Sequence, residues 1–310
     1  MAAGKESLMM SPMAGYTDAG FRQLCAECGC GVVVTEMVSA MALKQRSKAT
    51  FEMLQDEFCG QGDAVRRVQL FGHDPEVFKE IVTFDEIQKF DAIDLNMGCP
   101  MPKIVRNGEG CALMQNLPLA SEIIRTVVKC SGKPVSVKFR KGFKEESASE
   151  FAKMCEDSGA NSLTIHGRTR EQMYAGRADW SAIKRAVESV AIPVFANGDI
   201  KSKPDAEAAV KQTGAFGVAV GRAALGRPQL FAELSGQNCT VNIKDLVLRH
   251  IEILQRAFRE ERVLSEMKKH YVWYLKGIKK SKAFLEELFG IRSIKKQKEA
   301  IEDFLGSIDN

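Results

Sequence analysis

The chain has 310 residues, 45% of them hydrophobic, and a formal net charge of +4. That suffices for one large core and a smaller one, and no stretch reaches the roughly 20 apolar residues a membrane-spanning helix needs. Residues 1–7 lack a signal-peptide layout, and the nine cysteines are odd in number and scattered, so a cytoplasmic protein is expected rather than a secreted disulfide scaffold.

Short β-like runs alternate with longer helical patterns as far as about residue 235. The first run, 8–11, ends in Pro12-Met13-Ala14-Gly15, where small residues let a flat ligand approach the backbone. Cys25, Cys28 and Cys30 crowd the following helix, but no second cluster completes a four-ligand metal set, so buried helix thiols are expected and no metal. The second run, 32–37, ends near Glu36. The third, 67–71, carries Gln69, whose amide both donates and accepts. The fourth, 91–95, leads into Asn96-Met97-Gly98-Cys99-Pro100, where Gly98 permits a sharp turn and Cys99 stands at a strand's carboxyl end. A helical pattern at 119–130 precedes the fifth run, 134–139, which carries Lys138. Such a lysine either snorkels outward or sets a cation against a ligand that gains negative charge, as a reduced flavin does. After a helix at 148–157, the sixth run, 162–166, ends in His166-Gly167-Arg168. A helix at 180–187 leads to the seventh run, 192–196, ending in Asn197-Gly198-Asp199. A helix at 203–211 leads to the eighth, 217–220, ending in Gly221-Arg222.

Eight strands with intervening helices in about 230 residues predict a (β/α)8 TIM barrel. A doubly wound open sheet is the alternative, but no Gly-x-Gly-x-x-Gly follows the first strand. In a barrel, the turns after the seventh and eighth strands commonly cradle phosphate, which fits Asn197-Gly198-Asp199 and Gly221-Arg222. Beyond about residue 238 the pattern is all helical, at 243–262, 266–280, 282–289 and 294–305. The expected division is therefore 1–238, a catalytic barrel, and 239–310, a small helical domain. Residues 240–310 hold 15 Lys plus Arg against 11 Asp plus Glu, so all of the excess positive charge lies there. A localised basic surface suits a polyanion. Lys269, Trp273, Lys276 and Lys280 would share one helix face.

Cys99 could be a nucleophile, a redox thiol or a general acid. No base stands in its motif and Cys111 makes no Cys-x-x-Cys pair, whereas a thiol of pKa about 8.5 is protonated at neutral pH and can donate.

Taken in order, the segments Ser11-Pro12-Met13-Ala14-Gly15-Tyr16-Thr17-Asp18, Val68-Gln69-Leu70-Phe71-Gly72, Asp94-Leu95-Asn96-Met97-Gly98-Cys99-Pro100 and Val137-Lys138-Phe139-Arg140 resemble the flavin-dependent tRNA-dihydrouridine synthases of bacterial type. So do Leu163-Thr164-Ile165-His166-Gly167-Arg168-Thr169-Arg170, Asn197-Gly198-Asp199-Ile200, Val220-Gly221-Arg222-Ala223 and Lys269-His270-Tyr271-Val272-Trp273-Tyr274. The resemblance implies FMN at the barrel mouth, with Pro12, Met13 and Ala14 along the isoalloxazine edge and Gln69 and Lys138 at its polar rim. It implies that His166, Asn197, Gly198, Asp199, Gly221 and Arg222 hold the ribityl phosphate end. NADPH would reduce the flavin, FMN N5 would pass hydride to uracil C6, and Cys99 would protonate C5. Asn96 and Arg168 would address the substrate, and Lys269, Trp273 and Lys276 the tRNA backbone. A monomer is expected, with no membrane association, no obligate protein partner, and no added zinc-finger or double-stranded-RNA module. Rival readings are an FMN barrel of dihydroorotate dehydrogenase type, which needs no basic tail, and a non-catalytic RNA-binding barrel, which needs neither Cys99 nor Lys138.

Overall fold

The computed structural model describes residues 5–55, 64–237 and 242–307. Eight parallel strands close into a barrel in sequential order. They are β1 (Leu8–Met10), β2 (Val32–Ser39), β3 (Val65–Phe71), β4 (Ala92–Met97), β5 (Val135–Gly142), β6 (Ser162–Thr169), β7 (Val194–Asn197) and β8 (Gly217–Val220), and β1 pairs with β8 to shut the sheet. The barrel helices are α1 (Ala19–Glu27), α2 (Ala40–Lys44), α3 (Lys48–Glu52), α4 (Pro75–Ile81), α5 (Asp85–Gln88), α6 (Pro102–Arg106), α7 (Leu117–Ser131), α8 (Ala148–Asp157), α9 (Trp180–Glu188), α10 (Lys203–Thr213) and α11 (Leu230–Ser235). Then follow α12 (Ile243–Ala257), α13 (Glu260–Tyr274), α14 (Ser281–Gly290) and α15 (Ile294–Gly306). Among the described residues no helix is long and apolar enough to cross a membrane.

Local chemistry starts the helices. Asp18 caps α1 by accepting from the Phe21 N–H, Asn116 caps α7 ahead of Pro118, and Ser202 caps α10 ahead of Pro204. On α7 the buried residues Ala120, Ile123, Ile124, Val127 and Ser131 fall at helical spacing on one face, which packs on the sheet. On β4 the period is two: Ile93, Leu95 and Met97 enter the core between sheet and helices, leaving Asp94 and Asn96 to the barrel interior. Lower in that interior Met9, Val32, Val34, Phe195 and Ala219 form an apolar floor.

α12–α15 build a separate apolar core around Leu254, Met267, Tyr271 and Leu288, to which α1 adds Leu24 and its C-cap adds Cys28. The expected boundary after residue 238, like Cys59 and Cys239, lies outside the described residues. Two helix expectations change here. The run 243–262 is broken, because Phe258 (φ −132°, ψ 154°) and Arg259 (φ −68°, ψ 157°) are extended and separate α12 from α13. The run 266–280 ends at Tyr274, followed by Gly277 at φ +86°. Lys276 and Lys280 therefore leave the helix that carries Lys269 and Trp273, and the four do not share one helical face.

Candidate active site

The turn after β4 is built around Cys99. Asn96 Oδ1 accepts the N–H of Gly98 at 3.2 Å and of Cys99 at 2.9 Å, so the side chain clamps the turn. Cys111 N–H donates to the Cys99 carbonyl at 3.1 Å. Gly110, at φ +58°, lies so close that a Cβ would sit 2.8 Å from the Cys99 carbonyl oxygen and 3.0 Å from its Cβ. From β5, Arg140 Nε donates to the Gly98 carbonyl at 3.0 Å, and its Nη1 to the carbonyls of Thr169 (3.0 Å) and Met173 (2.8 Å). The guanidinium thus ties the cysteine turn to the segment after β6. Burial pushes the Cys99 thiol up, outweighing the Met101 backbone N–H and the Arg140 and Lys138 charges that favour thiolate. The proton stays on sulfur at neutral pH, which suits an acid better than a nucleophile.

Beneath the turn lies a polar layer of the barrel interior. Asn96 Nδ2 donates to Gln69 Oε1 at 2.8 Å, Gln69 Nε2 donates to Asp94 at 2.6 Å, and Ser136 Oγ donates to the other Asp94 oxygen at 2.6 Å. Burial raises the Asp94 carboxyl against these bonds. Lys138 Nζ donates to Asn197 Oδ1 at 3.3 Å, and Asn197 Nδ2 donates to Ser11 Oγ (3.0 Å) and the Ala219 carbonyl (2.6 Å). Burial, with Arg140 second, pushes the Lys138 ammonium down to about 8. The Lys138 side chain thus points into the barrel rather than snorkelling outward.

On the other side of the mouth β6, β7 and β8 gather positive charge. Burial, then Lys138, Arg140, Arg168 and Arg222, hold His166 well below the usual imidazole range, so the ring is neutral. Its buried Nδ1 has no hydrogen-bond partner, and neither has Arg168 Nη1. Gly198 sits at φ +118°, and a Cβ would come within 2.7 Å of the Ala178 methyl. Gly221 leads into Arg222, whose guanidinium lies 4.8 Å from the ring centroid of Tyr174, itself 56% exposed. Asp199 accepts from the Ala178 N–H at 2.7 Å and from Arg168 Nη2 at 2.9 and 2.8 Å. Burial would raise its carboxyl, but the Ala178 bond and Arg168 outweigh it, and Asp199 is an anion. It is therefore ill suited to hold phosphate directly, and Arg168, only 2% exposed, is turned into the wall rather than toward a substrate.

The segment after β1 supplies the remaining edge. Gly15 N–H donates to the Glu36 carboxylate, and Thr17 Oγ1 accepts from the Met13 N–H at 3.2 Å, fixing Pro12, Met13 and Ala14 at the mouth. From α13, the half-buried Lys269 is paired with the buried Glu266, which also meets Arg262 at 2.7 Å, so its charge is already answered within the protein. Trp273 stands edge-on to Tyr16 (centroids 6.3 Å, 86°), and Gly226 admits its backbone. It packs on the barrel, while the exposed Lys276 lies with its ammonium 5.0 Å from the indole.

The structure thus brings Cys99, Gln69, Lys138, His166, Asn197, Gly198, Gly221 and Arg222 to one barrel mouth, and leaves Lys269 and Trp273 half-buried, one paired with Glu266 and the other packed against Tyr16. Arg140 joins them as a residue the sequence reading misses. Its signal is present in the chain: it stands two residues after Lys138 in a strand, and so shares its face.

The family model described as Dihydrouridine synthase (Dus) matches residues 9–309 of the chain. The chain belongs to the dihydrouridine synthase family. It is 34% identical over 316 residues to tRNA-dihydrouridine synthase B of Vibrio parahaemolyticus, covering 98% of this chain and 97% of that protein. It is 33% identical to tRNA-dihydrouridine synthase B of Pseudomonas aeruginosa (98% and 94% covered), and 38% identical to a probable tRNA-dihydrouridine synthase of Rickettsia bellii (90% and 88%). Among solved structures it is similar in fold to histamine dehydrogenase from Rhizobium sp. 4-9, with TM-score 0.59 at 14% identity over 80% of this chain and 49% of that one. The 6-hydroxypseudooxynicotine amine oxidase of Pseudomonas geniculata N1 has TM-score 0.58 at 13% identity (74% and 47%). As a member of its family, the chain is an oxidoreductase of uridine.

Proposed function

We propose that this dihydrouridine synthase reduces the C5=C6 bond of uridines in tRNA, with FMN across the strand ends of the barrel and NADPH as reductant. One arrangement carries the reading: a buried, proton-bearing thiol after β4 and a corner of cations, buried donors and close glycines after β6, β7 and β8 stand at the carboxyl ends of the strands of one closed barrel. The residues suit an anionic flavin. His166 Nδ1 and Arg168 Nη1 lack partners, and Gly221 leaves room at the strand end, where a Cβ would come no closer than 3.6 Å to its neighbours. His166, Asn197, Gly198, Gly221 and Arg222 would hold the phosphate end, and Asp199 would act through Arg168. Pro12, Met13 and Ala14 would line the isoalloxazine edge, with Gln69 and Lys138 at its polar rim. Bound FMN supplies hydride taken from NADPH and delivered to C6 of the uracil.

The chain's own residues do the rest. Lys138 sets positive charge where a reduced ring accumulates negative charge. Cys99 gives its proton to C5, and the resulting thiolate is answered by Arg140 and Lys138. Asn96 and Arg140 hold the turn so that the sulfur keeps its place; Asn96 serves the uracil through Cys99. The target base must leave its stack to reach a cysteine only 8% exposed. The exposed Lys276, Lys279, Lys280 and Lys282 would meet the RNA backbone. A catalytic barrel over 1–238, an RNA-binding unit over 239–310, a cytoplasmic site and a monomer complete the reading.

The test is direct. Purified protein loaded with FMN is given NADPH and tRNA from cells lacking the gene, and dihydrouridine is mapped by mass spectrometry. New dihydrouridine at discrete positions is expected. A flavin-loaded protein that leaves tRNA unchanged but turns over free orotate or dihydroorotate refutes the reading.

A further inference from the structure

Away from the barrel mouth, one buried polar cluster has no part in the chemistry above. Asp18, at the end of the segment that carries Met13 and Ala14, accepts from Phe21 N–H at 2.9 Å. Its Oδ1 lies 3.1 Å from His250 Nε2 of α12, and its Oδ2 lies 2.7 Å from His270 Nε2 of α13. His250 Nδ1 lies 3.1 Å from the Tyr274 hydroxyl. Both imidazoles are 0% exposed, and Asp18 is 8% exposed. Gly20 is part of the fit, because a Cβ there would lie 2.4 Å from His250 Cδ2.

An unpaired carboxylate in such a place would be neutralised or expelled. Here two imidazole N–H groups and one backbone N–H satisfy it, and it remains an anion. A metal bridge explains the cluster less well. The facing nitrogen and oxygen atoms are at direct hydrogen-bond distance, and one Asp18 oxygen is already spent on the α1 cap.

We infer that Asp18, His250 and His270 form a positioning strut that registers the helical unit against the Met13–Asp18 segment, so that RNA held on α12–α15 is presented in line with the flavin edge. The inference rests on the function proposed above, but its position on the chain is independent of it. The polar partners come from three places, the cap of α1, α12 and α13, so the contacts tie the three together, with His270 Nδ1 left without a partner. The segment they hold is the one whose other end lines the mouth. Its middle is tied to β2 by the Gly15–Glu36 bond. A shift of α13 would therefore be passed to Met13 and Ala14.

The test uses the full chain with FMN bound. His270→Leu is expected to lower kcat on tRNA about tenfold with KM for tRNA changed less than twofold, and to leave flavin reduction by NADPH within twofold. His270→Gln, whose Nε2 can still donate to Asp18, should restore most of the loss. Gly20→Ala keeps every polar group but pushes His250 away, and should reproduce the His270→Leu kinetics if that variant does not fold. Hydrogen exchange supplies a readout free of activity: amides 13–17 should exchange at least tenfold faster in His270→Leu or Gly20→Ala. Unchanged exchange at 13–17, a parallel fall in flavin reduction and tRNA turnover, or one tightly bound zinc per chain would each overturn the strut. If the wild-type protein binds no flavin or leaves tRNA unmodified, the proposed function fails, and the exchange comparison still decides the strut.

Discussion

At the scale of single residues, the site separates groups that react from groups that hold them. Cys99 keeps its proton because burial outweighs the neighbouring cations, and Cys99→Ala should retain flavin while losing at least a hundredfold in turnover on tRNA. Flavin absorbance and a dihydrouridine assay check both halves of that statement; turnover near wild type would remove the acid assignment. Lys138 is displaced the other way, to about 8. In the folded, flavin-free protein its proton leaves near that pH, whereas the unfolded chain keeps it to about 10.4. Between those values the unfolded state binds more protons, so this residue's contribution to stability rises with pH there, and below pH 8 the buried ammonium costs the full amount. Lys138→Met should therefore stabilise the flavin-free protein at pH 7 by on the order of 1 kcal/mol, partial solvation at the mouth discounting a fuller shift. Denaturant melts at pH 7 and pH 10 check the sign, since the gain should shrink at the higher pH. In the same variant flavin affinity or turnover should fall.

At the scale of elements, the barrel works because each strand ends where its side chains are needed. The period of two that puts Ile93, Leu95 and Met97 outward is what sends Asp94 and Asn96 inward. α7 makes the matching demand from outside. Ile124 is fully buried, and Ile124→Ala should cost about 2–5 kcal/mol, measured as a lower denaturation midpoint at unchanged slope. The turn after β7 is constrained for a different reason. At Gly198 the backbone is left-handed and the space above it is closed by Ala178, so Gly198→Ala should distort the turn and lower both flavin retention and the melting temperature. A variant that keeps stoichiometric flavin after dialysis would show that this corner does not bind phosphate.

At the scale of the whole molecule, the basic helical unit is arranged differently from the one-face stripe its spacing suggests. Lys269 faces Glu266 and Trp273 packs on the barrel, so the RNA contact proposed above is assigned to lysines beyond the end of α13. Charge reversal of Lys276 and Lys280 together should weaken tRNA binding and flatten its salt dependence, by about one unit of slope for each phosphate no longer neutralised, with flavin reduction by NADPH unaltered. Filter binding at several salt concentrations checks this; an unchanged slope would leave those lysines as solvated surface.

The order of eight strands and the residues at their ends were legible from local pattern alone, because strand periodicity, turn glycines and helix caps are short-range effects. Cys99, Lys138, Asn197 and Gly198 could be picked out for that reason. Which polar groups cancel one another could not be read this way. Arg168 and Asp199, and Asp18 with His250 and His270, meet only once distant segments have packed, whereas Lys269 and Glu266 are local neighbours at i, i+3 on α13. A charge counted along a chain does not say whether it will face water, a ligand or its own counter-ion; burial and distance decide that, and both belong to the folded state.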